Sequence, residues 1–271
     1  MTDTNIDIQK EENQTFLTKK EEVAKKEEES ESFEGYLGLF KISVAEGIAY
    51  FFVILNIYLS GGDHAKFVFA FWSIFMVFGN VSGAHVNPIV TIALWINKGN
   101  MFKIKNLAKL FSYILFQFFG GILGALVAYR TYKKKIIYVK AGDDDSDLDI
   151  WGCEGFFSGT FVFVCLFITS TATRPTDKNH VNLTLFAVWL YIIINAGQDI
   201  SGGCYNPTVY IILNGLAYYT STDIKAYNNI EIYILAPLVG SIIFTLIFKY
   251  VFKPFYIAKN RIVISEDDWY N

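Results

Sequence analysis

The sequence predicts an all-α membrane protein with six transmembrane helices and two half-helices arranged as an inverted repeat. Three observations lead to this fold class. The 271-residue chain is 53% hydrophobic, and its charges crowd the N-terminal segment while long apolar stretches follow, which is typical of a membrane domain with a polar tail. Six of those stretches approach or exceed the length that crosses about 30 Å of hydrocarbon as a helix. Two segments, 82–88 and 201–207, both read Ser-Gly-x-x-x-Asn-Pro and interrupt apolar sequence.

Each predicted element follows from an apolar stretch and the residues that bound it. The two half-helices begin at the Asn-Pro pairs and are too short to span a membrane. Asn is favourable just before a helix and Pro is favourable at its first position, so these pairs predict helix starts. The spanning helices are predicted over 39–60, 66–82, 107–129, 153–173, 183–198 and 232–252, and the half-helices over 87–97 and 206–217.

The order of the elements predicts an inverted repeat. Two long helices, a half-helix and a third long helix are followed by the same series again. An odd number of spanning helices in the first repeat makes the second enter from the opposite side, so the half-helices approach each other from opposite faces. Matched residues support the repeat: Glu46 and Glu154 lie near the starts of the first and fourth helices, and Gly120 of the third helix answers Gly240 of the sixth.

The two ends of the chain are predicted as cytoplasmic tails. Residues 1–35 contain no apolar core of a signal peptide, so we expect a retained, disordered tail, and 258–271 form a C-terminal tail. The balance of Lys and Arg favours both termini inside, although a basic cluster over 130–140 lies on the other side. A plasma membrane and a vacuolar membrane are not distinguishable. The net charge of −3 is small, and no nucleic-acid partner is expected.

With these motifs the sequence resembles the aquaporin (major intrinsic protein) family. The resemblance covers about 36–257 and is carried by Ser82 to Pro88, by Asp199 to Gly202 leading into Asn206-Pro207, by the paired Glu46 and Glu154, and by Gln117-x-x-Gly120. It implies an aquaporin-like channel domain over 36–257 that passively conducts water and other small uncharged solutes, such as glycerol, urea or ammonia, and excludes protons and ions. It also implies a homotetramer in the lipid bilayer and no cofactor. No enzyme is expected, because the three histidines are scattered.

The two half-helix starts predict the pore. A helix N-terminus has unpaired N–H groups and about half a positive charge, so two such ends repel cations while the Asn amides donate to a passing oxygen. Non-helical backbone at this depth survives only inside protein or along a cavity, so carbonyls of 83–85 and 202–204 are predicted acceptors. The predicted pore-lining residues are Asn87, Asn206, His85, Gly83, Ala84, Gly202 and Cys204. For the His85 side chain, facing the pore and packing in the protein both remain open.

The resemblance also assigns a selectivity constriction and a supporting set. The constriction comprises Phe67, Ile194, Gly203 and Val209, with a possible register slip from Phe67 toward Phe71. Val209 stands where the family usually has Arg, so we expect a wider, more apolar ring. The supporting residues are Glu46 and Glu154, whose carboxylates are expected to hold the backbone ahead of the opposing half-helices, the hydrogen-bonding Gln117, and the helix-starting Pro88 and Pro207.

A second interpretation is a pore-blocked protein of the same fold that acts as a membrane scaffold or adhesion protein. The usual Asn-Pro-Ala triplets are Asn-Pro-Ile, ending at Ile89, and Asn-Pro-Thr, ending at Thr208. The bulky Tyr205 and Tyr210 flank the second triplet. Flux through the protein separates this interpretation from a channel.

Overall fold

The computed structural model describes residues 35–99, 101–133, 135–221 and 227–260. The chain divides into two compact units, 1–42 and 43–271. Within the first unit the described residues, 35–42, form the opening turns of a helix, and all other described elements belong to the second unit. The tails predicted for 1–35 and 258–271 fall largely outside the described residues, although helix continues to Asn260.

The regular elements are helices, and the all-α fold class is confirmed. Within the described ranges, five helical segments are long and apolar enough to cross a membrane. The helices are α1 (Gly35–Ser60), α2 (His64–Phe78), α3 (Pro88–Asn97), α4 (Ile104–Thr131), α5 (Asp147–Thr169), α6 (Asn179–Ser201), α7 (Pro207–Ser221), α8 (Ile230–Ile247) and α9 (Lys253–Asn260). A π-helical turn, Phe248–Phe252, joins α8 to α9.

Helix α2 is shorter than the second predicted span, 66–82. It has 15 residues, about 22 Å at the rise of an α-helix. Its start is fixed by Asp63, whose carboxylate accepts from the backbone N–H of Lys66 at 3.0 Å, and this hydrogen bond lowers the pKa of Asp63. Beyond Phe78 the chain continues in turns, and the Gly83 N–H still donates to the Gly79 carbonyl at 3.0 Å. The chain therefore leaves the regular helix after Phe78 but keeps hydrogen bonds of helical spacing as far as Gly83.

The half-helices α3 and α7 begin where the Asn-Pro pairs predict. The Asn87 side-chain oxygen accepts from the backbone N–H of Ile89 at 3.1 Å, and that of Asn206 accepts from Thr208 at 3.2 Å. These bonds satisfy donors that the first helical turn leaves unpaired. Helix α7 continues to Ser221 and is longer than predicted.

Backbone contact between glycines joins helices in both repeats. A Cβ atom on Gly120 would lie 1.9 Å from the Gly47 carbonyl oxygen, and one on Gly240 would lie 1.8 Å from that of Gly155. Small residues at such crossings let helices approach closely. Gly47 and Gly155 directly follow the two glutamates matched by sequence, so the same close crossing recurs in each repeat and brings the carboxylates toward the centre of the fold.

Lys249, in the π-helical turn after α8, contacts the first half-helix. Its Nζ donates to the Ile96 carbonyl at 2.6 Å. Ile96 lies in the last turn of α3, where carbonyl groups lack partners within the helix. A cation at this end is favoured by the helix dipole, so the contact fixes the C-terminal end of α3.

Gly240→Ala is expected to destabilise the protein, because its methyl group overlaps the Gly155 backbone. Overpacking of this kind costs about 1–3 kcal/mol. Gly152→Ala on α5 is the matched control, since a Cβ there meets nothing within 4 Å. Thermal unfolding in detergent micelles measures both variants, and equal melting temperatures would contradict the close crossing.

Candidate functional site

Asn87 and Asn206 are joined through the segments that precede the half-helices. The Asn87 amide Nδ2 donates to the Tyr205 carbonyl at 2.9 Å, and the Asn206 Nδ2 donates to the Val86 carbonyl at 3.1 Å. Each amide thus bonds the segment of the other repeat. A side-chain amide carries two N–H donors, so each Asn keeps one further donor. The phenol of Tyr50 donates to the Asn206 Oδ1 at 2.9 Å and fixes which face of that amide carries the donors.

The two asparagines line one cavity of about 340 Å³, called here the Asn-pair cavity. All the residues predicted for the constriction line it as well: Phe67, Ile194, Gly203 and Val209. Phe71 also lines it and stacks on Phe67, with ring centroids 5.5 Å apart. Gly202 and Cys204 of the second segment contribute to the same wall. The structure therefore brings the second-repeat pore residues and the constriction residues together.

The Glu46 carboxylate holds the segment before α3. It accepts hydrogen bonds from the Ser82 hydroxyl (2.7 Å) and from the backbone N–H groups of His85 (3.2 Å) and Val86 (2.5 Å). The Gln117 Nε2 donates to the same carboxylate at 2.9 Å, as predicted for a hydrogen-bonding residue. Glu46 is fully buried, and a buried carboxylate requires such a complete set of donors.

Glu154 does the same for the segment before α7. It accepts from the Ser201 hydroxyl at 2.7 Å and from the backbone N–H groups of Cys204 (3.0 Å) and Tyr205 (2.9 Å). Pro237 is the counterpart of Gln117 in the repeat and has no side-chain donor to offer. The second carboxylate therefore lacks the additional donor that the first one has.

The carboxylates hold the non-helical backbone ahead of the half-helices, as expected. Glu46 accepts from the segment that enters α3, and Glu154 accepts from the segment that enters α7, so each supports the half-helix of its own repeat. Helix α1 begins at Gly35, which places Glu46 well inside it rather than near its start.

Both segments carry left-handed backbone at matching positions. The residues are Gly83 (φ 91°), Ala84 (45°), Val86 (39°), Gly202 (77°), Gly203 (61°) and Tyr205 (48°). For residues other than glycine this conformation costs about 1–2 kcal/mol each. Successive N–H groups in such a stretch point to one side. In each segment they point toward the glutamate carboxylate of the same repeat, so the carbonyl groups point away from it. The glutamates thus hold strained backbone in a defined direction.

Tyr113 and Tyr233 complete the support and were not singled out from the sequence. The Tyr113 phenol donates to the Ser82 carbonyl at 2.5 Å, and the Tyr233 phenol donates to the Ser201 carbonyl at 2.6 Å. They occupy corresponding places in α4 and α8. One signal in the sequence could have identified them. Tyr113 follows Ser82, and Tyr233 follows Ser201, by nearly the same number of residues. In an apolar helix, however, a Tyr reads as an ordinary core residue.

The first segment contributes less to a pore wall than predicted. Ala84 is 0% exposed, so neither its side chain nor its carbonyl meets a cavity. The His85 side chain turns away from the Asn-pair cavity into a separate one of about 120 Å³. There its Nδ1 lies 3.2 Å from the Thr91 hydroxyl and its ring packs on Tyr113. The Ala84 carbonyl, expected as an acceptor along the path, and the His85 side chain, for which two arrangements were left open, are therefore both absent from the wall of the Asn-pair cavity.

Gly83 lies on a second large cavity, of about 520 Å³, called here the Arg174 cavity. Its walls come from α2, α5 and α6 and include Phe75, Ile168 and Leu183. Arg174 and His180 also line it. The matched segments therefore face different cavities: the glycine of the first borders the Arg174 cavity, and the glycines of the second border the Asn-pair cavity.

Of the bulky residues that favoured a blocked pore, Tyr205 lines the Asn-pair cavity, whereas Tyr210 and Ile89 do not. Tyr210 stacks on Tyr233 with ring centroids 4.1 Å apart and is absent from the Asn-pair cavity wall. Ile89 is fully buried. The Tyr205 phenol donates to the Ile193 carbonyl at 2.9 Å, which holds that ring against α6.

In the described part of the chain, no three His, Cys, Asp or Glu side chains are grouped as metal ligands.

Comparison with known proteins gives consistent matches. A family model described as "Major intrinsic protein" matches residues 38–248. The chain is 30% identical over 173 residues to "Glycerol uptake facilitator protein-like 6" of Lactiplantibacillus plantarum, covering 61% of this chain and 73% of the relative. It is 24% identical over 202 residues to "Aquaporin AqpM" of Methanothermobacter marburgensis, covering 68% and 74%. The X-ray structure of the aquaglyceroporin from Plasmodium falciparum superposes with a TM-score of 0.64 at 18% identity, over 82% of this chain and 98% of that one, which shows a shared fold.

Glu154→Gln is expected to destabilise the protein. The glutamine amide would point a donor at the donors of Cys204 or Tyr205, and a buried donor without an acceptor costs about 1–3 kcal/mol. Glu231→Gln is the control, because Glu231 is exposed in the first turn of α8. Chemical denaturation in micelles reports both variants. A wild-type midpoint for Glu154→Gln would show that the carboxylate is not needed to hold the segment.

Cys204 is expected to make the protein sensitive to mercurials. It lines the Asn-pair cavity, whereas Cys153 and Cys165 are buried outside the wall of that cavity. We expect partial loss of water flux on mercurial treatment, and resistance in Cys204→Ser. Cys165→Ser, the control, should remain sensitive. Sensitivity that persists in Cys204→Ser would place the reactive thiol elsewhere.

Proposed function

The chain belongs to the major intrinsic protein family, and we propose that it forms a passive pore through which water and small uncharged solutes cross a membrane while protons and other ions do not. Members of this family are membrane channels rather than enzymes, and the long apolar helices make the chain an integral membrane protein. The observation that carries the proposal is the meeting of Asn87 and Asn206, each at the start of a half-helix, on one cavity.

The electrostatics of this meeting favour neutral solutes. Each half-helix directs the positive end of its dipole toward its Asn. A water or hydroxyl oxygen between the two amides accepts the free N–H donors and is thereby oriented, which interrupts a chain of donors that could relay protons. A cation there would lose water and meet positive potential. Burial of an ion without partners costs several kcal/mol.

The constriction supports passage of solutes larger than water. The constriction contains one aromatic ring, from Phe67, and two aliphatic side chains, from Ile194 and Val209. Its fourth residue, Gly203, has no side chain, and none of the four carries a charge. An Arg at position 209 would add five donors and a permanent charge. A Cβ on Gly203 would lie 3.2 Å from the Ile194 carbonyl oxygen, so the glycine lets this segment pack closely against α6. We therefore include glycerol, urea or ammonia beside water, in accord with the glycerol-related name of one relative.

The assembly and orientation belong to the same proposal. We expect a homotetramer with a pore in each subunit, in keeping with the family, and both termini in the cytoplasm, in keeping with the Lys and Arg distribution. Many large apolar side chains on the helices are exposed in the single chain, among them Phe69 at 73% and Leu123 at 59%. Lipid tails and neighbouring subunits are the partners suited to such surfaces.

Flux through vesicles tests the function and its rival. The purified protein is reconstituted into liposomes, and stopped-flow light scattering follows shrinking in sucrose and swelling in glycerol, urea or ammonium salts. A pH-sensitive dye in the lumen follows protons. A channel raises water and solute permeability above empty vesicles without a proton leak. A pore-blocked scaffold gives the permeability of empty vesicles in every gradient.

Val209→Arg is expected to reduce solute flux more than water flux. Its guanidinium would narrow the constriction and occupy the space that a solute needs, while water can still pass beside it. Val209→Leu is the matched control for added size without charge, and it should reduce glycerol flux less. The ratio of glycerol to water permeability is the measured quantity. An unchanged ratio in Val209→Arg would show that this ring does not select solutes.

A further inference from the structure

Four phenylalanine rings occupy the space between the two large cavities. Phe71 and Phe161 line the Asn-pair cavity, and Phe75 lines the Arg174 cavity. Phe186 lines neither, and its ring contacts both Phe75 and Phe161. Among the described residues, the two cavities have no lining residue in common. We call these four rings the aromatic collar.

The rings of the aromatic collar are in direct contact. Their centroids are 4.9 Å apart for Phe71 and Phe75, 5.4 Å for Phe75 and Phe186, and 4.9 Å for Phe161 and Phe186. The first two pairs are close to perpendicular, at 82° and 83°. Aromatic pairs at such distances touch, so no water fits between the rings. The residues are only 2–9% exposed, although each cavity beside them is open.

The collar lies between residues that line the two cavities. Along α2, Phe71 and Phe75 are about one helical turn apart and border different cavities. Along α6, Leu190 lines the Asn-pair cavity and Leu183 the Arg174 cavity, with Phe186 between them. The helices α2 and α6 thus contribute to the walls of both cavities, and the collar rings lie where the lining passes from one cavity to the other.

We propose that the aromatic collar is the narrowest barrier of the path and sets both its rate and the largest solute that passes. This rests on the proposed channel function and moves the main filter from the constriction of Phe67, Ile194, Gly203 and Val209 to the level of Phe186. The collar offers no donor or acceptor, and hydrophobic constrictions of this kind gate by excluding water. Passage requires a ring to rotate aside. Such a barrier refuses ions by dehydration and large solutes by width.

The test compares variants of the collar with a ring outside it, in the same vesicle assay. Phe75→Ala and Phe186→Ala should each raise water permeability at least about threefold and glycerol permeability more. Phe186→Trp enlarges the ring and should lower both. Phe163→Ala is the control on α5, because its ring packs on Phe248 and Phe252 instead of the collar. Gel filtration of each variant checks folding, and Phe186→Leu replaces an alanine variant that fails this check.

The outcomes separate the collar from the channel itself. Larger flux in the alanine variants, or flux that emerges only in the double variant Phe75→Ala/Phe186→Ala, supports the collar. Wild-type flux in every collar variant, with a loss in Val209→Arg, overturns the collar and leaves the channel standing. No flux in the wild type and none in the double variant overturns both.

Discussion

The hydrogen bonds that Glu46 and Glu154 accept from the segments before the half-helices are the interaction on which the rest of this structure depends. The segments contain left-handed backbone, which is unfavourable for the non-glycine residues Ala84, Val86 and Tyr205. They also lie deep in a protein that crosses a membrane, where backbone groups have no water to bond. A carboxylate can accept several N–H groups at once. Its own burial is unfavourable unless it does so. Segment and carboxylate therefore stabilise each other, and neither conformation would persist alone.

From this support follows the geometry of the centre. With their N–H groups held by the glutamates, the segments deliver Asn87 and Asn206 to one place, and the carbonyls of Val86 and Tyr205 are free to accept from the opposite amide. The close crossings of Gly47 with Gly120 and of Gly155 with Gly240 let the glutamates come near enough. Packing, capping and pore chemistry thus share the same few residues.

Much of this could be predicted from the sequence, because the signals were local or repeated. The Asn-Pro pairs encode both the cap and the first residue of a helix, so α3 and α7 begin where expected. The spacing typical of the family correctly selected four residues that line one cavity: Phe67, Ile194, Gly203 and Val209. The direction of the His85 side chain could not be predicted, since it lies in a non-helical segment where no periodicity applies. Tyr113 and Tyr233 were missed because their partners are distant carbonyls. The collar depends on how α2, α5 and α6 face one another, which no single stretch encodes.

The two repeats are supported unequally. Gln117 donates a hydrogen bond to Glu46, whereas the corresponding residue of the second repeat, Pro237, has no side-chain donor for Glu154. Each segment donates a serine hydroxyl and two backbone N–H groups to its carboxylate, but Glu154 receives no further donor that would fix it in place. A segment whose acceptor is held less firmly opens more readily, without unfolding of the whole chain. The amide protons of 203–205 should consequently exchange with solvent sooner than those of 84–86. The inverted repeat is thus symmetric in its backbone and asymmetric in its local stability.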